Sequence, residues 1–102
     1  MSKPRAYTAK EMQEIFIEQV RGIAKYWAEL PNREPKERCD GVAFSILTLI
    51  DGHSCGHPPI DMHAAPHPTD EEYHKQNGEN WYDPEVLMND CYLHDMFYKK
   101  SN

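Results

Sequence analysis

Between positions 12 and 30 the apolar residues recur at steps of three and four: Met12, Ile15, Phe16, Val20, Ile23, Ala24, Trp27 and Leu30. On a 3.6-residue repeat they make one stripe. Glu14, Glu18, Arg21, Lys25 and Glu29 fall on the other side. Thr8 and Glu11 open this stretch as a T-x-x-E capping box, in which each side chain satisfies the other's free backbone N–H. Tyr7 and Met12 are spaced for a hydrophobic staple across the cap. Pro31 ends the pattern. The spacing predicts a helix over about 9–30, roughly 33 Å long at 1.5 Å per residue.

Pro35 opens a second pattern, at a position where its missing N–H costs nothing. Cys39, Val42, Ala43, Ile46, Leu47 and Ile50 share one face, while Phe44 and Leu49 lie off it. A helix over about 35–51 that is apolar nearly all round is expected to be covered on more than one side. A buried strand over 42–50 is the competing reading, because short apolar runs are not typed by periodicity alone. Gly41 is expected to mark a close approach to the first helix, and Gly52 suits a C-cap. A third helix is expected over about 84–99, started by Asp83-Pro84. Asn89-Asp90 is the point where it would break and restart, with the second piece running from Cys91 to Lys99. Residues 52–83 between them carry no strong periodicity, apart from a short helical turn at Asp70–Lys75. Loops of that length in compact domains are functional or disordered. Ile60, Met62, Tyr73, Trp81 and Tyr82, with prolines at 58, 59, 66 and 68, favour an ordered one. The expectation is an all-α fold in a single domain over residues 1–102: a long helical hairpin, an ordered His- and Pro-rich loop, and a C-terminal helix.

Charge changes this picture. Residues 1–50 balance eight Lys/Arg against seven Asp/Glu, whereas residues 51–95 set ten acidic residues against Lys75 alone. Such a field repels phosphate backbones and attracts cations or basic protein patches, which disfavours nucleic acid as a partner. No apolar run is long enough to span a membrane. Without a secretory h-region, and with the odd count of Cys39, Cys55 and Cys91, reduced thiols in a cytoplasmic setting are expected. Cys39 and Cys91 read as helical core residues.

Five of the six histidines lie between positions 51 and 74. Asp51, His53, Cys55 and His57 put four potential ligands within seven residues, and Cys91 with His94 adds a C-x-x-H pair. Zinc takes such ligands, usually as a tetrahedron, so a zinc or other transition-metal module is one reading. The spacing matches no standard framework. Asp51 also ends the second helix, where a carboxylate opposes the dipole; a metal, a histidine cation or the turning backbone after Gly52 would offset that. For nucleophilic chemistry, Cys55 beside His53 or His57 is the one exposed pair, with no oxyanion motif to accompany it. No phosphate-binding loop or dinucleotide fingerprint is present.

The stretches GVAFSILTLIDG (41–52), HPTDEEYHKQNGENWY (67–82) and LHDMFYK (93–99) together resemble small uncharacterised proteins of bacteria and their phages or other mobile elements, over about a third of the chain. The resemblance implies a small stand-alone accessory protein and carries no activity. The reading the residues favour is a non-enzymatic binding protein that offers its acidic, histidine- and aromatic-bearing loop to a protein partner or small ligand. His67, Asp70, His74, Glu79, Trp81, His94 and Asp95 are the expected contacts. Self-association is a second expectation, with Phe16, Ile17 and Tyr26 on the flank of the first helix.

Overall fold

The computed structural model describes residues 3–54 and 56–98, and all regular structure among them is α-helical. Four helices follow one another: α1 (Ala9–Glu29), α2 (Pro35–Ile50), α3 (Asp70–Gln76) and α4 (Leu93–Phe97). The contacts group the chain into two compact units, Met1–Ile46 and Leu47–Asn102, and α2 runs through the division. The stretch 42–50 is helix rather than strand. No described helix is long and apolar enough to cross a membrane.

In the first unit the capping box forms as expected. The Glu11 N–H donates to Thr8 Oγ1 at 3.2 Å, and the Thr8 N–H donates to Glu11 Oε1 at 2.9 Å. The Arg5 guanidinium adds two bonds to the same carboxylate. Arg5 first, and then the Thr8 N–H, hold the Glu11 carboxyl down at a pKa of about 2. Pro31 and the left-handed Asn32 (φ 59°) turn the chain into α2.

The hairpin is built around Trp27. Its indole N–H donates to Ser45 Oγ at 2.9 Å, and the Arg38 guanidinium donates to the carbonyls of Trp27 and Ala28. The open carbonyls at the end of α1 therefore gain a cation as well as donors. A Cβ on Gly41 would collide with the Trp27 ring; the absence of a side chain there is what lets the indole reach α2. Arg38, Gly41 and Ser45 line one side of α2, about 100° per residue apart on the helical wheel. Cys39 lies on the opposite side and is exposed, not the core residue its apolar neighbours imply.

One glycine has no such explanation. Gly22 sits in the middle of α1, where glycine costs about 1 kcal/mol relative to alanine, and nothing lies within 4 Å of the position of its missing Cβ. No residue of α1 is fully buried, and Met12, Ile17 and Tyr26 are exposed.

In the second unit α2 ends in a Schellman turn. Gly52 (φ +80°) donates its N–H to the Leu49 carbonyl, and the His53 N–H donates to that of Thr48. The Ile60 N–H then donates to the Ile50 carbonyl at 2.8 Å, so the segment after the turn folds back on the helix end. Leu49 is the one hydrophobic residue fully buried among the described residues.

The helix expected over 84–99 is a correction: among the described residues 84–98 only Leu93–Phe97 is helical and 84–92 is a series of turns and bends, while Lys99 lies outside the described residues. Asp83 accepts the Glu85 N–H on its side chain and the Val86 N–H on its carbonyl, closing a turn. The Met88 N–H is then taken by the Met62 carbonyl, while the Asn89 amide accepts from the Met62 N–H and donates to the Ile60 carbonyl. A donor committed to 62 is not available to a helix through 84. Cys91 therefore lies outside any helix and is exposed. The short turn expected at Asp70–Lys75 is present as α3.

Gly41→Ala should lower stability by about 2–3 kcal/mol, the usual cost of overpacking. Urea unfolding followed by circular dichroism, at matched protein concentration, checks this; in a Trp81→Phe background, Trp27 fluorescence should report a displaced indole.

Candidate functional site

Asp51 is the buried charged residue of the described chain, with a side chain 1% exposed. Its position follows from the end of α2: the Asp51 N–H still donates to the Leu47 carbonyl, and Gly52 turns the chain immediately after. The carboxylate accepts three bonds from the far end of the chain. The Leu93 N–H reaches Oδ1 at 3.0 Å, and the His94 N–H and Nδ1–H reach Oδ2 at 2.8 and 2.6 Å. Tyr92, at the N-cap position of α4, supplies no side-chain cap. Asp51 takes that role from 42 residues away, satisfying two first-turn donors that would otherwise be orphaned. Burial pushes the Asp51 carboxyl up, but the His94 and Leu93 backbone donors and the imidazole outweigh it, so the net shift is downward.

The cost of a carboxylate at the C-terminal end of α2 is thus offset by a histidine and backbone donors, as the sequence anticipates, but the backbone donors are those of 93–94 and not of the turn after Gly52. Around the pair, the His53 ring lies 4.4 Å from Tyr92 and 5.0 Å from His94, centroid to centroid. Tyr92 and His94 stack at 5.8 Å. His94 Nε2 lies 3.4 Å from Asp95 Oδ1, an ion-pair distance when the ring is protonated. The sequence reading does not single out Tyr92, and it takes Asn89 only as a point where the third helix would break. Tyr92 meets His94 where the extended N-cap residue leads into α4, and no local spacing marks this in the sequence.

The remaining expected contact residues form a separate hook. The His67 N–H donates to Asp70 Oδ2 at 3.0 Å, which anchors the entry to α3. The acidic first turn of that helix, Asp70, Glu71 and Glu72, meets the positive end of its dipole. Asn77 and Gly78 (φ +67°) end it, and the Glu79 N–H donates to the His74 carbonyl. His74 Nδ1 then meets Glu79 Oε1 at 2.9 Å, and the Lys75 ammonium sits 5.0 Å above the Trp81 ring. Trp81 is still 39% exposed, Tyr73 60% and Tyr82 76%. Carboxylates of Glu71, Glu72, Glu79, Asp83 and Glu85 surround these rings in the sequence and are exposed.

Of the described metal candidates, Asp51, His94 and the His53 ring lie near one another, while His57 and Cys91 have other partners. Asp51 and His94 bond to each other, His57 Nδ1 lies 2.7 Å from the Pro58 carbonyl, and Cys91 Sγ lies 3.5 Å from Met96 Sδ. Among the described residues no three of His, Cys, Asp or Glu converge as a metal site. Cys55 lies outside the described residues.

No family model matches the chain, and no curated protein sequence or solved structure shows significant similarity to it.

Asp51→Asn keeps the shape but removes the charge that three donors share, and should cost about 2–4 kcal/mol in denaturant unfolding. Hydrogen exchange at the Leu93 and His94 amides should rise with it. The acid limb follows from the sign of the shift. A carboxyl whose native pKa lies below its ordinary 3.8 stabilises fully above that value, and the contribution is lost as pH falls through the native one. The wild type should lose stability over that window more steeply than Asp51→Asn.

Proposed function

We propose that this is a small binding protein that presents the acidic, aromatic surface of residues 70–85 to a basic patch on a protein partner. The observation that carries the reading is the exposure of Tyr73, Trp81 and Tyr82 at and just after α3, with Tyr73 on the hydrogen-bonded helix and Trp81 held under Lys75. Rigid aromatic side chains already fixed in position lose little entropy on binding, and Tyr and Trp are enriched among the residues that dominate interface energy. The surrounding carboxylates favour a partner of positive potential and speed its encounter. Roles within the surface differ. Trp81, with one face under Lys75, is the anchor of the hook; Tyr82 is the more exposed contact; His74 and Glu79 hold the turn between α3 and the aromatics.

A displayed library of random peptides, panned on the full chain, tests this. Enriched peptides should be rich in Lys and Arg and contain an aromatic or aliphatic residue. Their affinity should fall about tenfold or more with Tyr82→Ala, and should weaken as salt rises from low to physiological concentration. Enrichment of neutral or acidic peptides, or binding indifferent to Tyr73→Ala, Trp81→Ala and Tyr82→Ala, would reject the proposal.

A further inference from the structure

Helix α1 shows one side to α2 and leaves the other open. The side that carries Trp27 meets Gly41 and Ser45. On the opposite side Glu14, Glu18, Arg21 and Lys25 follow at steps of four, three and four, which places them in one row on a 3.6-residue helix. All four are exposed. Beside that row runs a flank of Glu11, Ile15, Gln19, Gly22 and Tyr26. It borders two open grooves, of about 520 Å³ around Tyr7, Ile15 and Gln19 and about 280 Å³ around Gly22, Ile23 and Tyr26. Within the flank is Gly22, and nothing among the described residues lies within 4 Å of the position of its missing Cβ. The hairpin shows what such an absence serves: Gly41 admits an indole against the helix backbone.

We infer that this face of α1 is the interface of a homodimer, in which two copies of the helix cross antiparallel about residues 18–19. The occupant is identified by charge. The row reads acidic at Glu14 and Glu18 and basic at Arg21 and Lys25, so reversing one copy lays each half along its opposite. A parallel arrangement sets like charges against like. The same two-fold pairing places Ile15 of one copy over Gly22 of the other, twice, and Tyr26 alongside Glu11. A closed, isologous contact of this kind is the commonest oligomer symmetry. The close approach that glycine permits gives the helix-breaking residue a purpose.

Sedimentation velocity over a concentration series up to about 100 µM, where a micromolar interface is filled, reads the outcome. The wild type should sediment as a dimer. Gly22→Leu raises helix propensity, so its circular dichroism should hold or increase while association weakens at least about tenfold. Glu14→Lys with Glu18→Lys in one chain, and Arg21→Glu with Lys25→Glu in another, should each be monomeric, and an equimolar mixture should restore the dimer. A monomeric wild type at the highest concentration would overturn the inference. So would a dimer that tolerates Gly22→Leu, or charge-reversed chains that fail to pair when mixed while remaining helical.

Discussion

The carboxylate of Asp51 is the constraint on which the second unit depends. It stands where α2 has run out of donors and α4 has not yet begun to satisfy its own. Placed there alone it would be opposed twice, by burial and by the negative end of α2. Three donors from 93–94 reverse that balance, and in doing so they fix where the last helix begins and which way its imidazole faces. Gly52, whose missing Cβ leaves room for the Pro59 ring, acts on the same point from the other side. The turn at Gly52 sends the chain back so that the Ile60 N–H closes on Ile50, and from there 60–62 hold Met88 and Asn89. Few apolar side chains are fully buried, so polar groups with assigned partners carry an unusual share of the specification.

The first unit solves its packing differently. One indole, one glycine and one guanidinium set the spacing of α1 against α2, and the capping box sets where α1 starts. These devices use a single side of α1. The charged row is left exposed, and the mixed flank beside it, from Glu11 to Tyr26, is at least partly exposed. The two surfaces differ in kind: the hook is predominantly acidic, with Lys75 set over Trp81, whereas the row on α1 changes sign along its length.

Several features are legible in the sequence alone. The start of α1 was written in Thr8 and Glu11, Gly41 was recognisable as a close approach, and Gly52 as the end of α2. Within the loop 52–83, where Tyr73, Trp81 and Tyr82 are costly to leave in water, the short helical turn at Asp70–Lys75 was recognisable and is present as α3. Two expectations failed for the same reason. Asp83-Pro84 has the form of a helix start, and Cys91 has apolar neighbours at helical spacing, but local form does not disclose that Met62 and Ile60 will claim the donors and acceptors at 88 and 89. Likewise the clustering of His53, Cys55 and His57 in sequence says nothing of which atoms converge in space.

By itself, then, the sequence determined the helical class, the ends of α1 and α2, the uneven charge and the exposed polarity of the loop. Each follows from interactions within about four residues or from composition. The tertiary structure alone decided the partner of Asp51, the unwinding of 84–92 and the ring cluster of His53, Tyr92 and His94. Those depend on hydrogen bonds that span 27 to 43 residues. A local pattern carries no record of such a distant donor, because the same side chain is equally at home in water, in a turn or in a cap until the chain brings one of them within reach.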